Sequence, residues 1–167
     1  MEITTEMVKT LREQCGAGIM DCRNALKSTG GDMEKALEIL KEKGLLKAQK
    51  KAARATGSGL VECYIHTAGR IGAMVEINCE TDFVARTDEF KDLAHSLAMQ
   101  VAAMAPVCVS NENPPEGTKP VPDEECLLLQ PYIKDPTKTI KDVIAETIAK
   151  TGENIKVRRF HRYELGN

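Results

Sequence analysis

LVECYIHTAGRIGAMVEINC, Leu60 to Cys79, decides the fold class. In its first half Val61, Cys63 and Ile65 share one face. In its second half Ile71, Ala73, Val75 and Ile77 share one face. Ala68 and Gly69 lie between them as a tight turn. A period of two on both sides of a short turn predicts a β-hairpin. Outside this stretch the apolar residues return to helical spacing.

Upstream, the pattern predicts a small helical module. Thr4 is placed to cap a first helix, with Ile3 and Val8 as a hydrophobic staple. Val8 and Leu11 give that helix its apolar side, and the GAG of Gly16 to Gly18 breaks it. Ile19, Cys22 and Leu26 form the inward stripe of a second helix. Asp32 can cap a third, whose Met33, Ala36, Leu37 and Leu40 recur at i, i+3, i+4 and i+7. Gly44 is its expected stop. Three short helices bury little, so this module is expected to lean on a partner. The basic run KEKGLLKAQKKAARATGSG, Lys41 to Gly59, reads as a linker helix ending in flexible residues.

Downstream, Thr87 can cap a helix whose stripe is Phe90, Leu93, Ala94, Leu97 and Val101. All seven prolines lie between Pro106 and Pro136. The acidic stretch SNENPPEGTKPVPDEEC, Ser110 to Cys126, reads as a loop that an evolving chain could shorten. A last helix starts at Asp135 or at a Thr139/Asp142 box, carries Ile140, Val143, Ile144 and Ile148, and stops at Gly152. NIKVRRFHRYEL, Asn154 to Leu165, is a terminal strand with a bulge or a basic outer side near Arg158 and Arg159. The fold class is therefore α+β: a three-helix module, then a three-stranded antiparallel sheet with packed helices. The division is 1–45 for the module, 46–58 for the linker and 59–167 for the core, with a proline-rich loop over 106–136.

Composition bounds the function. The chain has 167 residues and a formal net charge of -2, without the basic excess of a general nucleic-acid binder. No apolar run reaches the roughly 20 residues of a membrane span, and the N-terminus has no secretory pattern. A cytoplasmic protein is expected. The six cysteines show no C-x-x-C spacing and read as reduced thiols. The three histidines are far apart in sequence. Phosphate-loop, dinucleotide and serine-nucleophile motifs are lacking. No metal or cofactor is expected.

Two places stand out. LREQCGAGIMDC, Leu11 to Cys22, contains a glycine corner where helices or another backbone can approach closely. Met20 is rotated about 100° from Ile19 and points elsewhere. In CETDFVAR, Cys79 to Arg86, an acid and a phenylalanine follow directly on a strand. Thr81 or Asp82 could cap a short helix and Phe83 could be core; alternatively the rigid strand presents them outward. A hydrolase using Asp82 would lack a second carboxylate or histidine at useful spacing.

LREQCGAGIMDCRNAL, then EINCETDFVAR, then TGENIKVRRF resemble, in order, the elongation factor Ts family. The blocks span nearly the whole chain. Cys15 stands where threonine is common in the family. Many members carry a longer second half with a helical hairpin and a duplicated core; shorter members resemble proteins that pair two chains.

The resemblance implies a guanine-nucleotide exchange factor for elongation factor Tu that works by binding, without covalent chemistry. The first module would be similar to a ubiquitin-associated domain and would dock on the partner through Leu11, Arg12, Ile19 and Met20. Thr81, Asp82, Phe83 and Val84 would push between partner helices and disturb its magnesium and phosphate site. Magnesium and GDP would belong to the partner. A homodimer is expected from the short length; a membrane or a direct nucleic-acid substrate is not. The competing reading is an RNA- or ribosome-binding module using Lys41 to Arg54 and the Arg158-Arg159 strand, recognisable by steep salt dependence.

Overall fold

The computed structural model describes residues 3–111 and 121–166, so most of the acidic loop, 112–120, lies outside the described residues. Three helices come first: α1 (Thr5–Cys15), α2 (Ile19–Ser28) and α3 (Met33–Lys51). Thr4 caps α1 by accepting from the Met7 N–H at 3.2 Å, and Asp32 caps α3 by accepting from the Lys35 N–H at 3.1 Å. Each satisfies an amide that a helix start leaves without a partner. Gly16 ends α1 with φ 65, and a Cβ there would collide with the Lys150 side chain. The left-handed turn is what calls for glycine, since the exposed Lys150 side chain can swing aside.

Two sequence expectations change here. Gly44 does not stop α3, which continues to Lys51 and merges with the predicted linker helix. One glycine in a helix costs only about 1 kcal/mol, and packing of α3 against the core offsets that. Ile19 does not join Cys22 and Leu26 inside; it stands 57% exposed at the first position of α2, beyond the cover of α1 and α3. The module core is Val8, Leu11, Cys22, Ala25, Leu26, Ala36 and Leu40.

The predicted hairpin is β1 (Ser58–Ile65) and β2 (Ile71–Cys79), joined by a short 3-10 turn with Ala68 at φ 71. β5 (Ile155–Glu164) completes an antiparallel sheet in the order β1-β2-β5. The register shifts between Glu76 and Ile77, so Arg158 is the extra residue of a bulge. Bulge and outward basic residues occur together. The face of β2 bearing Ala73, Val75 and Ile77 is covered by α5 (Asp88–Met104) and α6 (Ile140–Thr151). Val61, Cys63 and Ile65 share the opposite, open face with Met74 and Tyr163. Periodicity identifies residues on a common face but not which face will be covered.

The helix starting positions divide likewise. Thr139 and Asp142 form a reciprocal capping box for α6, while Asp135 begins a short strand. That strand, β4 (Asp135–Thr139), pairs with β3 (Pro131–Tyr132), a hairpin the proline-rich reading missed. Buried Gln100 and Gln130 tie this segment beneath α5. Gln100 donates to Gln130 Oε1 at 3.2 Å and Pro131 O at 3.0 Å, and accepts from the Ile133 N–H at 2.9 Å. Cys108 and Cys126, distant in sequence, are free thiols with sulfurs 3.1 Å apart.

Candidate functional site

β2 ends on buried Cys79, whose thiol donates to the Thr81 carbonyl at 3.1 Å. The chain then turns into α4 (Asp82–Ala85), a single helical turn. Val84 packs inward at 9% exposure and fixes the underside of this turn. Thr87 locks the exit: its hydroxyl donates to the Val84 carbonyl at 2.9 Å and accepts from the Phe90 N–H at 3.3 Å, starting α5 at once. A helical turn held between a sheet strand and a long helix has little freedom. On it Phe83 stands 79% exposed.

Phe83 is therefore not a core residue, although Phe90, seven positions on, is completely buried. Thr81 occupies the cap position of α4 but makes no side-chain cap bond. Instead its N–H and hydroxyl both donate to the Glu153 carboxylate, at 2.9 and 2.6 Å. Asp82 pairs with Arg86 at 2.7 Å, and both are exposed. The corner thus presents an aromatic ring beside an accessible carboxylate. Water meets an apolar surface held open by a rigid support, an arrangement suited to entering a cleft in another molecule.

A second apolar cluster lies at the glycine corner. Ile19 is 57% and Met20 61% exposed, with exposed Arg12 nearby in the last turn of α1. Leu11 corrects the expectation: at 0% exposure it belongs to the module core and cannot make a surface contact. Val84 is likewise a support. The accessible residues of the two predicted sets are Arg12, Ile19 and Met20, and Thr81, Asp82 and Phe83.

The basic residues of the alternative RNA reading are partly engaged within the molecule. Lys47 pairs with Asp21 at 2.9 Å, Arg54 with Glu80 at 3.4 Å and Arg159 with Glu76 at 2.7 Å. Glu80 and Glu76 are held below the usual glutamate range, Glu80 chiefly by the Asn154 N–H and Glu76 chiefly by Arg159. Sequence reasoning missed Glu80, Glu153 and Asn154 as supports. The available signal was an acid and an amide directly after the Gly152 stop, but their partners lie 72 and 74 residues away. Among the described residues, no group of three or more His, Cys, Asp or Glu side chains is placed to hold a metal ion. No described helix is long and apolar enough to cross a membrane.

Known proteins are similar to this chain in sequence. The family model "Elongation factor TS" matches residues 20–119. Elongation factor Ts of Thermotoga petrophila is 50% identical over 194 aligned positions, covering 99% of this chain and 98% of its own. That of Carboxydothermus hydrogenoformans is 50% identical, covering 98% of this chain and 89% of its own. That of Coprothermobacter proteolyticus is 48% identical, covering 99% and 100%. The three-helix module, the hairpin exit and the terminal strand therefore all lie within one likeness that spans nearly the whole chain, and the chain belongs to the elongation factor Ts family of translation elongation factors.

Proposed function

We propose that this protein is a guanine-nucleotide exchange factor that binds elongation factor Tu carrying GDP and promotes GDP release in the cytoplasm. The observation that carries this reading is Phe83, 79% exposed on a corner fixed by Val84 below and Thr87 behind. Arg12, Ile19 and Met20 dock the helical module on the nucleotide domain. Phe83 then enters between partner helices, and Asp82 supplies acceptors to the opened arrangement.

GDP in such a GTPase is held by phosphate-loop amides and a magnesium ion. Moving an element that supports the magnesium weakens both contacts. No bond is made or broken in this protein, and magnesium and GDP remain the partner's ligands. The action is linkage: if binding here weakens GDP tenfold, GDP weakens this complex tenfold, and each factor of ten corresponds to about 1.4 kcal/mol. The test is release of fluorescent GDP from elongation factor Tu. Acceleration at micromolar protein is expected; none would refute the reading.

The same reading includes a homodimer. The open sheet face exposes Val61, Ile65, Met74 and Tyr163, an apolar surface a second copy would cover by twofold pairing. Light scattering should give twice the monomer mass, and Ile65→Lys should return it to one; a monomeric wild type refutes this part.

A further inference from the structure

The turn Gly152 to Asn154 joins two parts of the molecule that lie far from it in sequence. Gly152 ends α6 in the left-handed region, and its carbonyl accepts from the Lys51 ammonium at 2.6 Å. The Glu153 carboxylate takes both Thr81 donors. Asn154 is 2% exposed, and its side-chain amide donates to the Arg54 carbonyl at 2.8 Å and the Ala52 carbonyl at 3.4 Å. Its backbone N–H donates to Glu80 Oε1 at 2.7 Å. Glu80 in turn receives Arg54 at 3.4 Å.

The bonds therefore fall into two sets. Lys51, Ala52 and Arg54 are the end of α3 and the chain leaving it, the connection from the helical module. Glu80 and Thr81 are the corner from which Phe83 projects. One short turn fastens both, using a buried amide whose donors are fully directed at carbonyls. Burying an asparagine is favourable only when its polar atoms are satisfied, and this one is satisfied by joining the two pieces.

We propose that the 152–154 turn is the positioning element of nucleotide exchange, with Glu153 the positioning residue that fixes the Phe83 corner relative to the docked helical module. This rests on the exchange reading above. A module that docks while the corner is loose can still bind, but the ring then reaches its cleft in a smaller fraction of complexes. Loss of Glu153 should therefore lower the maximal exchange rate more than it raises the concentration needed for half the effect. Both Thr81 bonds are charge-assisted, so the maximal rate should fall about tenfold.

The experiment compares wild type, Glu153→Ala, Glu153→Gln, Phe83→Ala and the double variant Glu153→Ala/Phe83→Ala. Maximal rate and half-saturating concentration are read from GDP release, and folding from thermal unfolding. Glu153→Gln should recover to within about twofold of wild type, because an amide can accept from the Thr81 N–H and donate to its hydroxyl. In the Phe83→Ala background, Glu153→Ala should cost nothing further. An unchanged maximal rate in Glu153→Ala, or the same tenfold loss without the ring, would overturn the inference. Amide hydrogen exchange of the free protein is the second measurement: the hydrogen-bonded amides of Thr81, Ala85 and Arg86 should lose protection in Glu153→Ala and keep it in Glu153→Gln. Unchanged protection would overturn the positioning role even if wild type fails to release GDP, an outcome that would itself sink the exchange reading.

Discussion

Two phenylalanines seven residues apart make a sharp test. Phe83 is 79% exposed and Phe90 0%. Burying a whole phenylalanine side chain is worth about 1.5–3 kcal/mol. With four-fifths of Phe83 still accessible, about 1.2–2.4 kcal/mol remains for the partner. If that burial occurs while the nucleotide site opens, Phe83→Ala slows GDP release by roughly 8- to 60-fold. Its own fold hardly changes, since surface substitutions usually stay within about 0.5 kcal/mol. Phe90→Ala instead removes a fully buried ring of α5 from the main core cluster, at a cost of about 3–5 kcal/mol. For a chain of this size each kcal/mol lowers the melting midpoint by about 2–4 °C. Phe90→Ala should therefore fall by about 6–20 °C and Phe83→Ala by less than about 2 °C. The assays are fluorescent-GDP release at saturating protein, and thermal unfolding followed by circular dichroism. If Phe83→Ala releases GDP at the wild-type rate, or melts as early as Phe90→Ala, the assignment of an outward wedge is wrong.

Other expectations follow from burial and charge. Leu11→Ala should lower stability by about 2–5 kcal/mol, whereas Met20→Ala should leave the melting midpoint in place and weaken complex formation measured by calorimetry. In the monomeric Ile65→Lys variant, where the sheet face stays uncovered, Cys63 should be alkylated first, and in the wild-type dimer it should be protected. Cys22 and Cys108, each pushed up to about 11 mainly by burial, should react slowly until the protein unfolds, as mass spectrometry of labelled peptides would show. Glu80, Glu76, Asp32 and Asp135 are all held below their ordinary values, chiefly by bonds to the Asn154 N–H, Arg159, the Lys35 N–H and the Thr137 hydroxyl respectively. Such carboxylates stabilise the fold above their unfolded values and lose that contribution as pH falls through the folded ones. The melting midpoint should hold above about pH 5 and decline below about pH 4. Glu80→Gln should shallow the decline; a profile flat to pH 3 would contradict it.

Much of the architecture was legible because it depends on neighbours in sequence. Thr4, Asp32, Thr87 and the Thr139/Asp142 box act on amides two or three residues away, and alternation across a short turn defines a hairpin without further context. The homologous blocks also marked the corner at Asp82-Phe83. Periodicity alone left Phe83 open between core and surface, because one helical turn is too short to define a stripe. It placed Ile19 inside with Cys22 and Leu26, because the pattern does not record where covering helices end.

The sequence by itself determined the helix starts, the hairpin and the family to which the chain belongs. The tertiary structure alone decided which face of the sheet stays open, that Leu11 is sealed while Ile19 and Met20 are presented, and that Glu153 and Asn154 grip residues 72 to 102 positions away. The physical reason is range. Caps, turns and periods are local, whereas exposure and the partners of a buried amide depend on surfaces that meet only when distant segments pack.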